Sequence, residues 1–67
     1  MSALDEVAGA IAHAQQAPTT QDLVTALQER YSEAEVLEAL EHWHREVYAE
    51  EGIDGRWSWL GPPVEPR

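Results

Sequence analysis

Thr19-Thr20-Gln21-Asp22-Leu23-Val24-Thr25-Ala26-Leu27, followed after a short break by Ser32-Glu33-Ala34-Glu35-Val36-Leu37-Glu38-Ala39-Leu40, is the stretch that decides the fold. Each half opens with a hydroxyl residue followed three positions later by an acid. At that spacing the hydroxyl can accept from a free N–H of the first helical turn while the carboxylate reaches back to the cap residue's own N–H. Each half then places apolar residues three and four apart, the period of one buried helical face. Leu23, Val24, Leu27 and Tyr31 form the first stripe; Val36, Leu37, Leu40 and Trp43 form the second, with His44 closing its inner side. The spacing predicts a helix from Thr20 or Gln21 to Arg30, a tight turn at Tyr31-Ser32, and a helix from Glu33 to Arg45. Thr25, Gln28 and Glu29 fall on the outer face of the first, and Glu35, Glu38, His42 and Arg45 on that of the second.

Towards the N-terminus the cap spacing recurs at Ser2-Ala3-Leu4-Asp5. Leu4, Val7, Ala8 and Ile11, continued by Gln15, give an amphipathic helix from Ala3 to Gln15. Gly9 costs that helix about 1 kcal/mol relative to Ala and is expected to let a second helix approach. Pro18 disfavours helical backbone at Ala17, so Ala17-Pro18-Thr19 is an extended link.

Towards the C-terminus the period changes to two. Val47-Tyr48-Ala49-Glu50-Glu51 reads as a strand and Gly52-Ile53-Asp54-Gly55 as a turn, since Asp-Gly favours tight hairpin geometry. Arg56-Trp57-Ser58-Trp59-Leu60 reads as a second strand with Trp57 and Trp59 on one face. Trp43, Trp57 and Trp59 are expected to form a lid where the hairpin covers the third helix. The alternative is that Trp57 or Trp59 stands partly exposed and anchors a partner. Pro63-Val64-Glu65-Pro66 beside Arg67 has the P-x-x-P spacing that proline-binding grooves accept.

The fold class is α+β, mainly α, in one domain over residues 1–61 with a Pro-rich flexible tail at 62–67. With 67 residues and 43% hydrophobic content the chain supports one small core. A domain of this size buries only about 60% of the surface its unfolded chain exposes, so a partner or a second copy would add support. The absence of Cys excludes disulfides and thiolate chemistry and suits the cytoplasm. No run of about 18 apolar residues occurs, so no membrane span is expected. Asp5 and Glu6 stand where a signal peptide needs basic residues, and the start at Met1 reads as that of a complete small protein.

The order of elements, carried by Pro18 to Leu27, Ser32 to Leu40 and Gly55-Arg56-Trp57-Ser58-Trp59-Leu60, resembles the winged helix-turn-helix superfamily over about residues 3–60. The resemblance implies a three-helix domain with a C-terminal two-stranded β-hairpin wing. In DNA-binding members the third helix enters the major groove and the wing touches the backbone. Helix one often mediates dimerisation in proteins of this architecture, so a homodimer is an expectation.

The charge departs from that pattern. Thirteen acids face four bases, all Arg, for a formal charge of −9. Between Glu33 and Asp54 eight acids accompany one base, Arg45. Nucleic-acid affinity comes largely from cations at phosphates, and base edges are read by Arg, Asn or Gln. The would-be recognition helix lacks them, and only Arg56 stands at the wing. DNA is therefore disfavoured by charge, and a regulatory protein–protein interaction is the leading expectation. Glu35, Glu38, Glu41, His42, Arg45 and Arg56 are its candidate contacts. A dimeric DNA-binding transcriptional regulator using Arg30, Arg45 and Arg56 is the alternative. An acidic mimic of nucleic acid that inhibits a basic protein is a further one.

Enzymatic, cofactor and metal chemistry find no motif. His42 and His44 point about 200° apart on a helix, and a zinc site needs three or four converging ligands. The expectation is a partly buried His44 and a surface His42. Ser2 and Ser32 serve as caps, Ser58 has no base beside it, and the carboxylates lie on solvated faces rather than as a pocketed acid–base pair.

Overall fold

A computed structural model of the chain describes residues 2–65. Three helices, α1 (Ala3–Ala12), α2 (Thr20–Leu27) and α3 (Glu33–Arg45), precede two strands, β1 (Ala49–Glu51) and β2 (Trp57–Trp59). The strands pair antiparallel with Ala49 opposite Trp59 and Glu51 opposite Trp57. The fold is α+β and mainly helical, with a layout compatible with a winged helix. Among the described residues no helix is long and apolar enough to cross a membrane.

The helix starts follow the capping chemistry. Thr19 and Ser32 each close a reciprocal box, Thr19 with Asp22 and Ser32 with Glu35. The Ser2 hydroxyl accepts from the Asp5 N–H at 3.3 Å. Each satisfied donor at a helix start contributes about 1 kcal/mol relative to an Ala cap.

The helix ends differ from the expectation. α1 stops at Ala12, where the His13 N–H bonds the Gly9 carbonyl (2.9 Å) and the Ala14 N–H bonds that of Ile11 (3.4 Å), and Gln15 is exposed beyond it. The chain must already extend there to bring Pro18 and Thr19 to the hairpin. α2 stops at Leu27, whose carbonyl takes the N–H groups of both Arg30 (3.0 Å) and Tyr31 (2.9 Å). That tightened turn swings Tyr31 back against the core.

Val47 neither extends α3 nor begins a strand. It adopts the left-handed conformation, φ 63°, while its N–H bonds the His44 carbonyl (3.1 Å) and the Tyr48 N–H bonds that of Trp43 (2.9 Å). This is the Schellman termination, in which glycine normally takes the left-handed position. Its accompanying apolar contact is Trp43 against Tyr48, ring centroids 5.8 Å apart. The expected strand therefore begins two residues late, at Ala49.

The hairpin loop is longer than a two-residue Asp-Gly turn. The Gly55 N–H bonds the Gly52 carbonyl (2.9 Å), the Gly52 N–H bonds Arg56 (2.8 Å), and Gly55 has φ 79°. That is the three-residue loop closed by a left-handed glycine. On its other edge β2 meets the extended link. Thr19 and Arg56 form an isolated bridge, and the Trp57 N–H donates to Pro18 at 2.7 Å. Arg56 thus pairs with the link rather than with β1, and Leu60 lies just past the strand, its N–H on the Tyr48 carbonyl.

The core gathers Val7, Ala8, Ile11, Leu23, Leu27, Val36, Ala39, Leu40, Ala49 and Trp57. Leu37, expected inside, is 44% exposed, and Ala39 takes the inward position. The reason is geometric: α1 and β1 approach α3 on the Val36–Ala39–Leu40–Trp43 side. Trp43 and Trp59 pack partly buried against this core.

Candidate functional site

The caps and register of α3 set its outer surface. Glu35, Glu38, Glu41, His42 and Arg45 line one shallow groove together with Ser2, Ala3 and Leu4 from the start of α1. Five of the six expected contact residues are thereby brought together. Within that set the roles differ. Glu35 spends one carboxylate oxygen on the Ser32 N–H at 3.0 Å, so it is first a helix cap. Glu41 and Arg45 are exposed and 3.8 Å apart, one turn from each other; exposed pairs of this kind contribute at most a few tenths of a kcal/mol (about 0.3–0.5).

Arg56 stands elsewhere. Its Nη1 donates to the Ala17 carbonyl at 2.7 Å and its Nε lies 3.9 Å from Asp54. The residue ties the hairpin to the link between α1 and α2. Arg30, in the turn beyond α2, is held 3.0 Å from Glu6. Arg30, Arg45 and Arg56 therefore each lie against a carboxylate, in three separate places.

The histidines exchange their expected environments. His42 is half-buried, its ring edge-on to Trp43 at 4.9 Å, whereas His44 is exposed with Trp57 at 6.0 Å. Ala39 and Trp43 define the inward direction, which turns His44 to the solvent side. Among the described residues no three of His, Cys, Asp or Glu are grouped to hold a metal ion.

Asp22 closes the capping box in the first turn of α2. The Thr19 backbone N–H, and then the Thr19 hydroxyl, hold its carboxyl below the usual value; the Arg56 charge adds a smaller pull. These contacts belong to the capping box and the hairpin, away from the α3 groove.

A second concave surface has no counterpart in the charge pattern. Trp43, Tyr48 and Trp59 cluster in contact, Trp43 edge-to-face with Trp59 at 5.3 Å and Tyr48 tilted against Trp59 at 6.0 Å. With α1 they wall a groove along which Pro62 to Glu65 run. Trp59 Nε1 donates to the Pro62 carbonyl (2.8 Å), and His13 Nε2 bonds the Val64 carbonyl. Gly9 faces this tail, not a helix: a methyl group there would sit 4.0 Å from Val64. The local signal for this surface is the alternation of Trp57 and Trp59 running into Gly61-Pro62-Pro63. The last part of the P-x-x-P spacing, Pro66 and Arg67, lies outside the described residues.

No family model matches the chain, and neither a curated protein nor a solved structure does.

Proposed function

We propose that the chain is a winged helix-turn-helix domain acting as a non-enzymatic regulatory module that binds a protein with a basic surface through α3. The observation that carries this reading is the groove where Glu38 and Glu41 stand beside His42 and Arg45. The helix that would read DNA offers carboxylates to solvent, and its neighbouring arginines are already set against acids. A field of this sign repels phosphate and speeds approach of a cationic surface. The link from Pro18 to Thr19, paired with the wing, supports the winged-helix assignment.

The test is a pair of titrations on folded protein. Labelled random duplex DNA, at about 50 mM and 150 mM salt, spans a range over which phosphate-driven affinity falls steeply. No saturable binding is expected, and salt-sensitive saturation would replace this reading with the DNA-binding one. A labelled arginine-rich peptide serves as the cationic probe. Its binding is expected to weaken more in Glu38→Gln/Glu41→Gln than in the equal-charge control Glu29→Gln/Glu50→Gln, whose side chains are exposed outside both grooves; equal loss in both removes α3 as the site.

A further inference from the structure

Apart from the α3 face, we propose that the groove between α1 and the Trp43–Tyr48–Trp59 cluster is a receptor for an extended Pro-Pro-aliphatic segment of another protein, ending in a basic residue. The chain's own Pro62-Pro63-Val64 occupies it as an intramolecular competitor.

The seating of that tail defines what fits. A Pro-rich segment in the extended left-handed helix makes no internal hydrogen bonds, so its carbonyls are free to accept. The groove supplies side-chain donors for two carbonyls two residues apart: Trp59 Nε1 takes Pro62 and His13 Nε2 takes Val64. Aromatic walls with ring N–H donors are the means by which proline-rich ligands are held in general. The Trp43 ring that backs the cluster is fixed by its own N–H on the Leu4 carbonyl at 2.9 Å, so this wall is pre-organised. Gly9 leaves the α1 surface flat under the Val64 side chain, at van der Waals distance.

The resident tail is not the best occupant of this site. Glu65 lines the same groove as Asp5 and Glu6, and Glu6 already has its cation in Arg30. An incoming segment with Arg or Lys in the place of Glu65 brings a cation to a groove that the carboxylate of Asp5 also lines. Gly61 sets how the resident tail enters, because a methyl group there would meet Tyr48 and Trp59 at 2.8–2.9 Å.

The probes are two labelled, end-blocked peptides centred on Pro-Pro-Val-Arg and on Gly-Gly-Val-Arg. They are titrated by anisotropy against the full chain and against Val64→Asp, which loosens the tail and leaves the groove residues in place. Pro63→Gly is a second route to the same release. A tethered competitor acts at an effective concentration in the millimolar range, so releasing it should tighten binding of the Pro-Pro peptide about ten-fold. The Gly-Gly peptide should bind more weakly to every protein. Saturation by neither peptide in a folded Val64→Asp chain overturns the proposal, as does equal binding of both. Concentration-dependent dimerisation without peptide binding also overturns it, and assigns the groove to the tail of a second copy. None of these outcomes bears on Glu38 and Glu41, so the two readings stand or fall separately.

Discussion

The indole N–H of Trp57 donates to the Thr20 hydroxyl at 2.9 Å. Thr20 is the first residue of α2 and Trp57 the first of β2, and the indole is 7% exposed. One part-buried bond thus joins the helix that follows the extended link to the strand that pairs with it. Replacing Thr20 by Val keeps the shape and orphans a donor in a site with little water. The expected cost is about 1–3 kcal/mol, measured by urea denaturation, with Thr20→Ser retaining most of the stability. A Val variant as stable as the parent would mean that water replaces the hydroxyl there.

Val47 is 72% exposed and occupies a backbone conformation that costs a β-branched residue more than any other. Val47→Gly relieves that cost and keeps both terminating hydrogen bonds of α3. A gain of about 1 kcal/mol is expected from a site of this strain, seen as a higher melting temperature. A loss would show that the Val47 side chain contributes a contact in the folded chain.

Gly61 presents the opposite case. Its missing side chain is a packing requirement, with Tyr48 Cγ at 2.8 Å and Trp59 Cζ2 at 2.9 Å from the place a Cβ would take. Gly61→Ala forces the ring pair apart, and overpacking of this size costs about 1–3 kcal/mol. Because the two rings are fluorescent, the displacement should appear both in the unfolding midpoint and as a shift of Trp emission. Unchanged emission and stability would refute the close approach.

Asp22 links the fold to acid. Its carboxyl titrates below its ordinary value of 3.8 when folded, because the Thr19 N–H and hydroxyl favour the charged form. The stability it adds is therefore present above the unfolded-state value and is lost as pH falls through the lowered folded-state value. Asp22→Asn should show a shallower decline in stability than the parent below about pH 4. A carboxyl-carbon NMR titration of Asp22 should give a midpoint under 3.8; a midpoint above it would remove the capping box as the cause.

The parts legible in the sequence are those set by neighbours in the chain. Thr19 with Asp22 and Ser32 with Glu35 mark the starts of α2 and α3 because a cap is a bond across three residues. The alternation of Trp57 and Trp59 places their face for the same reason. The helix ends were less visible. α3 ends on Val47, where the usual glycine signal is missing, and α1 ends early because residues 18 and 19 are needed against a strand almost forty positions away. Long-range packing likewise decided between His42 and His44: the two rings point to opposite sides of α3, and only the approach of α1 selects His42. That Glu35, Glu38, Glu41, His42 and Arg45 share a groove with Ser2, Ala3 and Leu4 depends on how α1 packs on α3, which charge on one helical face does not reveal. The aromatic groove was no more legible, since it depends on Gly61 bending the tail back over α1.

The pairing of Pro18 and Thr19 with residues 56 and 57 bears on how the molecule comes together during synthesis. All three helices can be made and can begin to coil before the second strand exists, yet the link between the first two has no partner until that strand emerges. Closing so wide a loop is entropically costly and slow compared with local helix formation. A nascent chain halted before residue 57 is therefore expected to lack the bridge that fixes the link between its first two helices.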